Sequence, residues 1–242
     1  MIIICSYVTI LLINQFLSTN SNNKGLTMNI WASNIWWILL IIAIFGEFVI
    51  SYFLGFFYPG YNHKQDVMSL LGNPNSPVSF LYNIWLVILG IIICSSSIKI
   101  YFEYFVVSKS LAITTLTIMM VFGIGAGILS GIFSVSETKD IENLASKIHG
   151  IGAGVGFILF TFVPLLIGLL SLKIDNYMIG IVSIILFFIS IIFFILFILS
   201  EKERFQYSVI GLSGLWQRLL LGTMYLPLLL VAFKQISVAK SS

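Results

Sequence analysis

Charge is the scarcest ingredient of this chain. Asp, Glu, Lys and Arg make up 9% of its 242 residues, where a soluble domain carries about 25%. That shortage excludes an ordinary soluble globular domain. The net charge is only +3 and the basic residues are scattered, so neither nucleic acid nor a polybasic lipid-binding patch is expected. Histidine is nearly as rare. His63 and His149 cannot form a three-histidine zinc site, and no HExxH motif occurs. A bis-histidine haem would need a second histidine at membrane depth. No P-loop is present, so ATP-driven work is not expected, and the reading is of a chain with neither cofactor nor metal. Cys5 and Cys94 lie in apolar runs without a CxxC pair, which makes them small apolar side chains rather than a disulfide.

What the chain does have is apolar length: 59% of its residues are hydrophobic and its mean hydropathy is +1.09. Six runs, at 30–54, 78–98, 111–133, 148–172, 177–199 and 215–236, each hold enough apolar residues to cross a bilayer. No strand-like alternation runs through them, and in lipid only a helix then satisfies the backbone. The expected fold is an all-α, polytopic transmembrane bundle with six core helices in residues 28–242. Residues 1–27 form a separate apolar N-terminal segment. As a helix, its apolar residues 1–17 would cover about 24 Å, short of a hydrocarbon core of about 30 Å, and without a basic n-region or a clear cleavage site the segment is a poor signal peptide. It is either a seventh helix or an over-long start, with Met28 as the natural beginning.

Lys and Arg divide evenly between the two ends of such a bundle. Setting aside Lys147 and Arg218 as helix-end residues leaves an excess on side A, the end holding the start of the first core helix. The expectation is a multi-pass protein of the cell membrane with that end cytoplasmic. Aromatic residues mark both interfaces: Trp31, Trp36 and Trp37 toward side A, and Tyr58, Tyr61, Tyr82 and Trp216 toward the opposite side B.

The longest polar interval, at 58–82, lies on side B. Within it, Asn62-His63-Lys64-Gln65 has the form of a capping box, Gly72 suits a helix end, and Pro74 stops continuation. A short helix from about 63 to 71 is expected, with Val67, Leu70 and Leu71 on one face and His63, Asp66 and Ser69 on another. It would lie in the interface as a lid. Beneath it, Glu47, Asn83, His149 and Arg218 belong to four different core helices, yet each falls about 5–11 Å below the same boundary at 1.5 Å per residue. Ionisable groups at such depth usually face the bundle interior and pair. A Glu47–Arg218 pair would relieve both desolvation costs.

Small residues recur every fourth position at Gly123, Gly127 and Gly131, at Gly150 and Gly154, and at Gly152 and Gly156, a spacing that lets helices approach closely in lipid. His149 shares a face with Gly152, Ala153 and Gly156, so it is expected to point at a neighbouring helix. The second side-B loop carries Glu137, Asp140 and Glu142 without a cation-loop pattern, and Asn143 is placed to cap the fourth helix. The third, Glu201-Lys202-Glu203-Arg204, balances its own charges.

These features resemble a prokaryotic membrane family known as domain of unknown function 998. The matching residues are D-V-M-S-L-L-G at 66–72, Pro77, Asn83, Gly90, G-I-L-S-G-I-F at 127–133, His149 and G-L-W-Q-R at 214–218. The resemblance spans about 35–233 and implies a six-helix membrane protein with no established activity. A more distant likeness to Frag1/DRAM/Sfk1-type membrane proteins rests on the serine–glycine loop after the first core helix.

Three functions fit these residues. In the first, Glu47, Asp66, Ser69, Asn83, His149 and Arg218 form a polar site that binds or transports an amphiphile or small polar solute, with membrane lipids as partners. In the second, the layer is helix glue in a structural, sensory or immunity-type protein, each polar contact contributing about 0.6 kcal/mol. In the third, Ser69, His149 and Asp66 act as nucleophile, base and orienter of an intramembrane lipid hydrolase.

Overall fold

The computed structural model describes residues 31–133 and 144–241. Six of its helices are long and apolar enough to cross a membrane: α1 (Ile35–Gly55), α2 (Ser79–Tyr104), α3 (Lys109–Ile132), α4 (Ser146–Leu172), α5 (Tyr177–Ser200) and α6 (Ser213–Ala239). They follow the six apolar runs closely, and the described residues contain no strand. The N-terminal segment 1–27, the acidic loop and the Asn143 cap lie outside the described residues.

The helices form a ring. Each packs on the next in chain order, and α6 closes the circle against α1. The outer faces carry exposed Ile, Val and Phe, most of all on α5, where Ile181, Ile185, Phe188, Ile192 and Ile195 are half-exposed. In lipid these side chains need no protein partner. Two residues expected at the interfaces belong instead to the core: Trp37 and Tyr82 are almost fully buried, because their helix positions face the ring's interior. Trp31 and Trp36 stack on each other at 4.6 Å.

Two helices depart from regular geometry, and both departures shape the interior. α3 passes into a π-helical segment at Gly123–Leu129, where the Ser130 hydroxyl donates to the Gly125 carbonyl at 3.0 Å. Glycine there allows backbone-to-backbone contact. A Cβ on Gly90 of α2 would sit 2.4 Å from the Gly123 carbonyl oxygen, and one on Gly125 would sit 2.4 Å from that of Gly152 in α4. α4 breaks into Leu144–Phe160 and Val163–Leu172. Pro164, at the start of the second piece, has no N–H to bond back to Phe160. The Phe162 N–H tightens onto the Leu159 carbonyl instead, at 3.0 Å.

The break has a consequence for the ring. The second half of α4 packs along α5, while among the described residues its first half barely touches α5. Gly150 and Gly154 lie on that first half, and a Cβ on either would meet nothing within 4 Å. The close packing expected of this glycine pair is therefore absent. Their spacing matches a packing motif, but among the described residues no helix faces them. Gly152 and Gly156 do serve as expected, against Gly125 and the Phe122 backbone of α3.

Candidate functional site

The side-B loop does not form the expected helix over 63–71. Asn62 starts a turn: its Oδ1 accepts from the Lys64 N–H at 3.0 Å, and Asp66 Oδ2 accepts from the Asn62 N–H at 2.7 Å. The reciprocal capping is therefore made by Asp66 rather than Gln65. Val67 is then extended, and only Met68–Gly72 winds into a 3-10 turn.

The reason lies in α6. The first N–H groups of a helix have no partner within it. Here Gly214 N–H donates to the Gln65 carbonyl at 3.3 Å and Leu215 N–H to that of Lys64 at 2.9 Å. The Ser213 hydroxyl also bonds to Gln65. Carbonyls that would have continued a loop helix are taken by the α6 terminus. Gly214 makes the approach feasible, since a Cβ there would lie 2.2 Å from the Asp66 carbonyl oxygen.

Arg218 completes this clamp. Its Nη1 donates to the carbonyls of His63 at 2.7 Å, Asp66 at 3.1 Å and Gly214 at 2.8 Å. Its Nη2 donates to the Tyr61 hydroxyl at 2.7 Å, and that hydroxyl donates onward to the Val67 carbonyl at 3.3 Å. Burial pushes the Tyr61 phenol up from its usual range despite the adjacent guanidinium, so it stays a proton donor. Gln217 Oε1 takes the Met68 N–H at 2.6 Å. The expected Glu47–Arg218 ion pair is not formed, because the guanidinium points up into the loop and its donors go to carbonyls. Asn83 is likewise a loop anchor: its Nδ2 donates to the Gly72 carbonyl at 3.1 Å.

His63 is held against aromatic rings, stacked on Tyr52 at 4.5 Å and edge-on to Tyr61 at 5.2 Å. Its Nδ1 is buried without a hydrogen-bond partner. Burial, and then the positive charge of Arg218, push the imidazole below its ordinary value of 6.5. The clamped loop thus favours neutral His63, whereas an opened loop takes up a proton as pH falls through about 6.5. Loop stability is full above that pH and declines below it. We expect the protection factors of the 61–68 amides, with the slowing of intrinsic exchange at lower pH divided out, to fall between pH 7.5 and pH 5, and His63→Gln to remove that fall.

Below the loop lies a cavity of about 420 Å³, within the usual range for small-molecule sites of about 300–1,000 Å³. Glu47, Ser69 and His149 line it; Asp66, Asn83 and Arg218 do not. The predicted six-residue site therefore divides. Three of its members face a shared space, and the other three build the roof.

Glu47 is 4% exposed and accepts from Trp85 Nε1 at 2.7 Å. The Trp85 ring reaches it by lying across Gly46, where a Cβ would be 2.4 Å from the indole. A second hydrogen bond to Glu47 comes from Tyr82. Across the cavity, His149 Nδ1 bonds to the Phe133 carbonyl at 3.0 Å. A carbonyl can only accept, so this nitrogen carries a proton. Tyr225 also lines the wall. It is 1% exposed, and its hydroxyl is buried with no hydrogen-bond partner.

Tyr82, Tyr225 and Trp85 were not among the expected site residues. The available signal was their polar tips within otherwise apolar runs. The remaining wall is mostly apolar, with Leu86, Leu89, Ile93, Phe157 and Phe197 prominent. It reaches the outer surface at Gly154, Ile158 and Ile198, where the first half of α4 stands away from α5, and at Glu201 beyond the side-B end of α5. Of the three hydrolase residues, Ser69 and His149 line the cavity and Asp66 does not; Asp66 Oδ2 is bonded to Asn62, and His149 Nδ1 to Phe133.

Fold and site together define a six-helix membrane protein with a polar-floored cavity roofed by a clamped loop. The profile of a protein family of unknown function (DUF998) matches residues 41–234, and the chain belongs to that family. No curated protein and no solved structure matches it.

Proposed function

We propose that this protein binds an amphiphile drawn sideways from the bilayer, with the polar end at Glu47, Tyr82, Tyr225 and His149 and the chain along the apolar wall. One observation carries this reading: a single cavity connects those buried polar groups to the lipid-exposed residues Gly154, Ile158 and Ile198. Toward the aqueous face the described lining is the loop held by Arg218 and Gln217 and the exposed Glu201, whereas Gly154, Ile158 and Ile198 open the cavity toward the bilayer. With side A cytoplasmic, the cavity would sample the outer leaflet of the cell membrane. For Arg218, Asn83 and Asp66 the structural reading is favoured, because their bonds hold the loop.

The test uses a dodecyl probe carrying a photoactivatable diazirine, applied to the full chain in zwitterionic nanodiscs. Labelling should concentrate on peptides containing Gly154, Ile158 and Ile198. Gly154→Phe adds a ring at the mouth from a position where a Cβ meets no described atom within 4 Å, and should cut that labelling at least tenfold. Equal labelling of the variant would refute the reading.

A further inference from the structure

Building on the amphiphile reading, we infer that the ligand's polar end is a primary ammonium group, held by Glu47 and the hydroxyl of Tyr225 among aromatic rings. The sign of the charge follows from the lining. Among the described residues the wall contains the acids Glu47 and Glu201 and the imidazole of His149, and no lysine or arginine. Arg218, the cation of the roof, is not on the wall, and its Nη1 and Nη2 donate to His63, Asp66, Gly214 and Tyr61. A phosphate or carboxylate head would face Glu47 with no lysine or arginine on the described wall, and with only the charge of Arg218 acting from the roof, at a depth where unpaired charge is costly. An alcohol would satisfy the lone Tyr225 hydroxyl but give Glu47 no counter-ion.

An ammonium answers both needs. Its N–H groups can donate to the Glu47 carboxylate, already fixed by Trp85 at 2.7 Å, and to the Tyr225 oxygen, which lacks a protein partner. The rings suit the same charge. Phe122 and Tyr225 meet edge-to-face at 6.2 Å, and with Tyr82 they border the cavity. Aromatic faces attract cations, more strongly where water is excluded. The apolar wall beyond them accommodates an alkyl chain, so the class is a long-chain amine.

The experiment is competition against the diazirine probe on the full chain, with dodecylamine, dodecanol and dodecyl phosphate as competitors. Dodecylamine should compete at least tenfold better than dodecanol, and dodecyl phosphate should be the weakest. Glu47→Gln should bring the amine to within about twofold of the alcohol, and Tyr225→Phe should weaken the amine severalfold. If Glu47→Gln does not fold, the wild-type order and the Tyr225→Phe change decide the matter. Phosphate competing as well as amine, or an undiminished amine preference in Glu47→Gln, overturns the inference. Equal competition by all three, with labelling still blocked by Gly154→Phe, rejects the ammonium and leaves the cavity reading standing. Labelling unaffected by Gly154→Phe removes both.

Discussion

Replacing Arg218 with alanine should open the side-B loop while leaving the six helices in place. The guanidinium joins four groups, the carbonyls of His63, Asp66 and Gly214 and the hydroxyl of Tyr61. Hydrogen bonds to charged groups are worth about 1.5–3 kcal/mol each, and a buried acceptor left without a donor costs about 1–3 kcal/mol. Such terms do not add fully, and water will reach part of the opened loop. A net loss of about 3 kcal/mol corresponds to roughly a hundredfold rise in the open population. The amides to follow are Met68, bonded to Gln217 at 2.6 Å, and Asp66, bonded to the Asn62 carbonyl at 2.7 Å. Their exchange should accelerate by about that factor, while amides at the centres of α2 and α5 should not change. Arg218→Lys should recover only a small part, because one ammonium cannot reproduce the planar fork that spans these partners. Unchanged exchange at Met68 in Arg218→Ala would show that the helix terminus and Gln217 hold the loop unaided.

The same residues show where reading the chain alone reaches its limit. Scarce charge and long apolar runs leave the backbone one solution, so the six spans were legible to within a few residues. That Glu47 and His149 border one space was legible too, since rise per residue puts them at similar levels of their helices. Which way a side chain turns at that depth was not. Arg218 and Glu47 look like natural partners when only depth is counted, yet the guanidinium turns toward carbonyls of a loop some 150 residues earlier in the chain. The expected helix over 63–71 failed for the same reason, because local capping signals lost to a distant helix terminus needing acceptors. Glycine spacing was ambiguous in another way. It shows that a face is small, and only packing shows whether a neighbour occupies it. Pro164 was available as a signal: a proline in the middle of an apolar run marks a break, and the break is what separates the first half of α4 from α5.

That ambiguity makes two glycines of similar appearance respond oppositely to the same substitution. Gly90→Ala should be severely destabilising, because the new Cβ would lie 2.4 Å from the Gly123 carbonyl oxygen and 2.8 Å from the Ile128 nitrogen. Both are backbone atoms, so no rotamer change can relieve the clash and α2 must move off α3. Overpacking costs about 1–3 kcal/mol where side chains can adjust, and a backbone clash belongs at or above the top of that range. Gly150→Ala meets nothing within 4 Å and should be neutral or stabilising by up to about 1 kcal/mol, the helix-propensity difference between the residues. Thermal unfolding of the two variants in one detergent should place Gly90→Ala well below the parent and Gly150→Ala level with it or above. The first change should also reach the cavity, whose wall includes Leu86 and Leu89 from α2 and Ala126, Gly127 and Ser130 from α3. Any Gly90→Ala protein that still folds should therefore lose labelling by the dodecyl probe, while Gly150→Ala keeps it. Equal unfolding temperatures for the two variants would mean that the α2–α3 contact is softer than its backbone geometry implies, and the cavity's shape would then have to be set by the α4 break and the loop alone.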